Sequence, residues 1–274
     1  MSISLRLFLI LILLNQQKGN AQVLDTLVNL GSHKLHVKIL KGAGTPILFE
    51  AGNGDDGSVW EALLAEIHKA TGATLITYDR AGLGKSEIDT TNISFKGEIQ
   101  DITTALQKLG YREDFFLVAH SFGGFYASEF ARRNKGKIAG AVFLDVATPC
   151  GLSVERASSI KDFISAENWK LIKEYKVGLY YVLQKFPEIA AYMSKRYIPD
   201  SIPLTVIAAE IRTPTKGIGE TEKDMLHMTN CLKALGNSPN HTYVLARGSE
   251  HKVWEKRPEL VIEEIVSLYK QTAK

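Results

Sequence analysis

Ala119-His120-Ser121-Phe122-Gly123-Gly124 follows the apolar run at 115–118 without a break. A short apolar strand, a serine among small residues and a helix-compatible stretch form the pattern of a nucleophile elbow. There the serine occupies a sharp turn, and its hydroxyl stands clear of the sheet. The positions two before and two after it must be small, because strand and helix backbones nearly touch. Gly123 meets that demand after Ser121. Ala119 meets it before, where glycine is more usual. On these six residues alone, a strand end followed by a glycine turn reads equally well, so the rest of the chain decides.

Outward from this stretch the pattern alternates. Residues 47–49 form a short buried strand running into Glu50-Ala51-Gly52-Asn53-Gly54-Asp55-Asp56-Gly57. Residues 60–70 have helical spacing through Trp60, Leu63, Leu64 and Ile67. Residues 73–78 read as a strand, and Asp79-Arg80-Ala81-Gly82-Leu83-Gly84-Lys85-Ser86 follows. An amphipathic helix over 95–109 closes at Gly110. The elbow leads into a helix at 124–134, then a strand at 138–146 that contains Asp145. Upstream, 23–40 reads as a hairpin around Gly31-Ser32. Residues 151–201 break the rhythm as several helices rich in Tyr, Phe and Lys. Alternation resumes with a strand at 204–209, a helix at 222–235, a strand at 243–246 and a helix at 258–272. This order predicts an α/β fold with a mostly parallel sheet and helices on both faces. The core divides into 22–150 and 202–274, and 151–201 is expected to form a helical cap over the sheet ends.

The opening differs in kind. Residues 1–14 hold Arg6 and an apolar run at 7–14, and Gly19-Asn20-Ala21-Gln22 follows a polar stretch. That is the plan of a signal peptide over 1–21, cut after Ala21. The apolar run is too short for a stable membrane span, which needs about 20 residues. An exported protein, periplasmic or secreted, is therefore expected. Cleavage removes Arg6 and Lys18 and no acid, leaving 31 basic against 30 acidic residues. A near-neutral chain gives no argument for nucleic acid or an anionic membrane as partner. Cys150 and Cys231 are the two cysteines. The sequence leaves pairing and two buried thiols equally open. No Cys/His spacing suggests a metal, and no cofactor is implied. The oligomeric state is not set.

In this order the motifs resemble the α/β-hydrolase superfamily, and the resemblance covers nearly all of 22–274. Glu50-Ala51-Gly52-Asn53-Gly54 stands where the family has its oxyanion loop, often His-Gly-x-Gly. The 79–86 segment is similar to the family's Asp-x-x-Gly-x-Gly-x-Ser turn. Residues 119–124 stand at the elbow. Gly248-Ser249-Glu250-His251, between a late strand and a proline-initiated helix, stands at the histidine loop.

The resemblance implies Ser121 as nucleophile and His251 as its base, since a serine hydroxyl needs a base within reach. The Phe122 and Asn53 N–H groups are the expected oxyanion donors. The acid has two candidates. Leu144-Asp145-Val146-Ala147-Thr148-Pro149 looks like the Leu-Asp-x-Ala-x-Pro segment of pancreatic-type lipases, which favours Asp145. Glu210 is the alternative, the only carboxylate near the end of the 204–209 strand. His120 flanks Ser121 and is expected to face away from the hydroxyl. Asp79, Arg80, Gly82 and Gly84 are expected to be structural, and Asp55 and Asp56 to be solvated.

This set implies acyl transfer to water through an acyl-enzyme, with a small-molecule carboxylic ester as first choice. Peptidase, lactonase and thioesterase chemistry use the same residues. Serine at the elbow argues against the dehalogenases and epoxide hydrolases of the superfamily, which need Asp. Trp169, Tyr175, Tyr180, Tyr181, Phe186 and Tyr192 suggest an apolar or aromatic pocket, and packing of the cap's helices against one another reads equally well. The alternative outside catalysis is a ligand-binding protein on the same fold, motivated by the altered oxyanion loop.

Overall fold

The computed structural model describes residues 22–273. The expected signal peptide lies outside the described residues. Eight strands form one sheet: β1 (Val23–Asn29), β2 (Lys34–Leu40), β3 (Gly44–Glu50), β4 (Ala73–Tyr78), β5 (Phe115–His120), β6 (Ile138–Leu144), β7 (Leu204–Ala209) and β8 (His241–Ala246). Their spatial order is β1-β2-β4-β3-β5-β6-β7-β8. β1 and β2 pair antiparallel as the expected hairpin, with Gly31 at φ +104° in its turn. β2 also meets β4 antiparallel, and every later pair is parallel. Parallel strands covered on both faces must be apolar throughout. Accordingly β4, β5 and β7 are buried at all their residues.

Side chains alternate between two apolar layers with the strand period of two. Leu117, Ala119, Val206 and Ala208 enter one layer with α2 (Phe95–Lys108), α3 (Gly123–Arg133) and α8 (Glu222–Gly236). Phe116, Val118, Ile207 and Ala209 enter the other with α1 (Glu61–Thr71) and α10 (Pro258–Thr272). Between β6 and β7 the chain forms four helices: α4 (Val154–Phe163), α5 (Ala166–Tyr175), α6 (Val177–Gln184) and α7 (Phe186–Met193). A short α9 (Val253–Lys256) precedes α10.

Cys150 and Cys231 form a disulfide with a Cα–Cα distance of 5.6 Å. It ties the segment before α4 to α8 and closes a loop of sequence separation 81. Cross-linking a loop this long restricts the unfolded chain by about 4 kcal/mol on the chain-entropy account. The Cys150→Ser/Cys231→Ser double variant is expected to melt several degrees below the parent. A reductant should lower the parent's midpoint toward the variant's and leave the variant's unchanged. Equal midpoints throughout would remove the stabilising role.

Candidate active site

The sheet order places the site. From β3 the chain crosses to β4 on one side, then returns to β5 on the other. A crevice forms outside the carboxyl ends of strands where the winding reverses. Glu50 pairs with Ala119 in the β3–β5 register, so the loop after β3 and the turn after β5 emerge side by side. Ser121 sits on that turn at φ +54°, a left-handed conformation that a non-glycine residue holds only under strain. A Cβ on Gly123 would lie 2.6 Å from the Ala51 carbonyl oxygen and 2.7 Å from that of Glu50. One on Gly124 would lie 2.6 Å from the Val146 side chain. The glycines thus allow α3 to begin hard against both neighbouring loops.

The Ser121 Oγ lies 2.9 Å from His251 Nε2, and His251 Nδ1 lies 2.7 Å from Asp145 Oδ2. Nδ1 faces an ionised carboxylate and therefore carries the proton, which leaves Nε2 as the acceptor toward the hydroxyl. Asp145 stands one residue past β6 at φ +45°. Its carboxylate is buried, while the His251 ring is half exposed. The Asp145 Oδ1 accepts the Ala209 N–H at 3.0 Å and a bond from the Arg212 guanidinium. Burial alone would raise this carboxyl's pKa. The His251 bond and the Arg212 charge outweigh it and hold the group below its ordinary 3.8.

Glu210 is not part of this line. It accepts the Gly248 N–H at 2.8 Å and lies 3.8 Å from Arg247, at the surface. Of the two candidate carboxylates, the structure brings Asp145 to the imidazole. Arg212 is the residue that sequence reasoning missed. A cation beside the acid leaves no motif in the sequence.

His120 faces away from the hydroxyl. Its Nε2 donates to the His251 carbonyl at 3.0 Å, and its ring packs against His251 and Trp254 at 4.5 and 4.7 Å. Burial, with the neighbouring His251 adding to it, pushes its pKa down to about 3, so it stays neutral and props the histidine loop. A Cβ on Gly52 would crowd its Nδ1 at 3.0 Å and the Ser121 Cβ at 3.2 Å.

Asn53 and Phe122 both line the space in front of Ser121. Neither backbone N–H has a hydrogen-bond partner among the described residues. Two unsatisfied donors beside an activated hydroxyl can receive a developing oxyanion. Behind this loop lie buried Glu50 and Glu98, bonded by Tyr78 at 2.6 Å and Tyr126 at 2.7 Å. Burial pushes each carboxyl up to about 7, against the pull of Arg80 and the tyrosine bonds. The unfolded chain releases these protons near 4.5, the folded one near 7. Folding stability should therefore fall as pH rises through that window and level off above it. Asp145 has the opposite sign, and its contribution is lost only below its ordinary 3.8. The thermal midpoint is expected to be higher at about pH 5 than at about pH 8, and Glu98→Gln to flatten the difference. A midpoint that rises from pH 5 to 8 would contradict the burial argument.

The cavity in front of Ser121 has a volume of about 600 Å³. Leu152, Ile160, Ile164, Leu179, Leu183 and Phe186 supply its wall from 151–201. The expected aromatic lining reduces to Phe186. Trp169 and Tyr180 pack edge-on against each other, as do Tyr180 and Tyr181. Tyr192 donates to Glu129, and Tyr175 is exposed. Trp169, Tyr180 and Tyr181 are taken up in mutual packing, and the helices offer the cavity a mainly aliphatic face that also carries Arg156 and Asn168.

Residues 47–263 match the model of the alpha/beta hydrolase family. The uncharacterized protein YqjL of Bacillus subtilis (strain 168) is 28% identical over 228 residues, which is 82% of this chain and 84% of that protein. A thermophilic esterase from Thermogutta terrifontis superposes with a TM-score of 0.61 at 19% identity, covering 92% of this chain and 99% of that one. The alpha/beta hydrolase domain-containing protein 10 from mouse gives 0.64 at 19% identity over 90% and 98%. At such identities the solved structures speak for the fold alone. The family match spans most of the chain and includes the elbow, the acid and the histidine loop. This chain therefore belongs to the alpha/beta hydrolase family.

Proposed function

We propose that this protein is an exported serine hydrolase that cleaves a carboxylic ester with an aliphatic acyl group. The observation that carries the reading is the unbroken line from Ser121 Oγ through His251 to Asp145 at the mouth of an aliphatic cavity. His251 Nε2 takes the hydroxyl proton as Oγ adds to the ester carbonyl. The Phe122 and Asn53 N–H groups receive the oxyanion. The alcohol leaves with the proton from His251, and the acyl group stays on Ser121. Water, deprotonated by His251, then adds to the acyl carbonyl, and His251 returns the proton to the Ser121 Oγ as the acid leaves. Asp145 stabilises the imidazolium throughout and keeps its own charge.

Export rests on the pattern of residues 1–21, and the Cys150–Cys231 disulfide supports an oxidising compartment. The test of function uses residues 22–274, a fluorophosphonate probe and p-nitrophenyl esters from acetate to dodecanoate. The probe is expected on Ser121. The kcat/KM should rise about tenfold or more from acetyl to medium acyl chains and fall once the cavity is filled. A folded protein that neither labels nor turns over any ester would hand the site to the ligand-binding alternative.

A further inference from the structure

The mechanism leaves a buried cation unused. Arg80 follows β4 and is 3% exposed. Its guanidinium donates to the Ala51 carbonyl at 2.8 Å and to the Gly52 carbonyl. It lies 3.7 Å from the Glu50 carboxylate and 4.6 Å above the Tyr126 ring. The preceding residue, Asp79, holds the other end of the same loop, its Oδ1 accepting the Gly57 N–H at 2.9 Å.

The covalent geometry of the backbone gives this arrangement a consequence. The Gly52 carbonyl and the Asn53 N–H belong to one peptide unit. In a planar trans peptide the two point in opposite directions. A guanidinium that grips the carbonyl on the protein side therefore turns the N–H toward Ser121. The positive charge also polarises that peptide unit, which strengthens its N–H as a donor to an anion. A lone buried guanidinium is unfavourable, and Glu50 supplies the opposing carboxylate once it ionises at about pH 7. The glutamate that replaces the family's usual histidine thus has a defined partner.

We propose that Arg80 is a positioning residue that aims and polarises the Asn53 N–H of the oxyanion hole, with Glu50 as its counter-ion. The inference rests on the ester-hydrolase reading. It assigns Arg80 an effect on the transition state and little effect on ground-state binding.

The test compares the parent with Arg80→Lys, Glu50→Gln and Arg80→Met/Glu50→Gln. The double variant removes Arg80 together with its nearest carboxylate, and leaves Glu98 bonded by Tyr126, so it serves if a single variant fails to fold. Each is assayed for kcat and KM on p-nitrophenyl butyrate. Each is also titrated with an alkyl trifluoromethyl ketone and with the matching secondary alcohol. In the ketone complex the Ser121 Oγ bonds to the carbonyl carbon, the carbonyl π electrons move to oxygen, and the hydroxyl proton goes to His251. The alcohol forms no such bond. Arg80→Lys and the double variant are expected to lose about 10- to 100-fold in kcat with KM nearly unchanged. Ketone affinity should fall by a similar factor and alcohol affinity should stay. Glu50→Gln should lose less, since Arg80 still reaches both carbonyls. Folded variants with parental kcat and ketone affinity would overturn the inference alone. A parent that neither turns over esters nor binds the ketone would overturn the ester-hydrolase reading and this inference with it.

Discussion

Ser121→Ala is expected to lower kcat by about 10⁶-fold, because on the proposed mechanism this hydroxyl forms the acyl-enzyme. The remaining rate over water would come from the two N–H donors and the cavity. A Ser121→Ala variant that keeps kcat within tenfold of the parent would sink the nucleophile assignment. The same position makes a second, independent prediction about stability. Ser121 stands at φ +54°, where a side chain is strained and glycine is not. Alanine keeps the strain, so Ser121→Ala should gain nothing from the backbone. The strain of about 1–3 kcal/mol exceeds the roughly 0.4–1 kcal/mol that glycine's entropy adds to the unfolded chain, so Ser121→Gly should be more stable than Ser121→Ala by a net of about 1 kcal/mol. In a domain of this size that is a rise of about 2–4 °C in melting temperature. A glycine variant melting below the alanine variant would show that the turn is not strained. Both results together would place the strain where the chemistry needs it, holding the hydroxyl off the sheet.

The limits of the sequence follow from the kind of contact each feature requires. Strand and helix positions are legible because burial on both faces leaves continuous apolar runs, as at β4 and β7, whose bounds match the expected 73–78 and 204–209. The elbow is legible because Gly123 and Gly124 record a close backbone approach. The aromatic residues of 151–201 leave lining and packing equally open for a physical reason. Trp169 and Tyr180 have the same composition signal whether they face a ligand or each other. The sequence favours Asp145 but keeps Glu210 as an alternative, because each stands one residue past a strand end, on neighbouring strands β6 and β7. What separates them is direction. Asp145 turns through φ +45° toward His251, while Glu210 bonds the Gly248 N–H outside the site. Arg212 leaves no motif, and Arg80 reads from sequence only as structural, because the partners that define each role lie far along the chain.

Asp145→Asn is expected to lower kcat by about 10⁴-fold, and its hydrogen bonds explain why the isosteric change is so severe. The Asp145 Oδ1 faces two donors, the Ala209 N–H and the Arg212 guanidinium. An asparagine must present its oxygen to that side, since its NH₂ cannot accept. The NH₂ then faces His251 Nδ1, where the carboxylate stood at 2.7 Å. Nδ1 is forced to accept, the ring proton moves to Nε2, and Nε2 can no longer take the Ser121 proton. The loss is therefore one of tautomer as well as charge. Arg212 also loses its ionic partner, so the variant should be less stable by about 3 kcal/mol. Glu210→Gln removes a carboxylate that, among the described residues, bonds Gly248 and pairs with Arg247, and kcat should stay within about twofold because neither lies in the reaction line. Steady-state kinetics with thermal melts of both variants read all of this. If Asp145→Asn keeps its rate while Glu210→Gln loses it, the acid assignment is reversed. If neither loses it, His251 needs no carboxylate, and the Arg212–Asp145 pair is only a brace between the ends of β6 and β7.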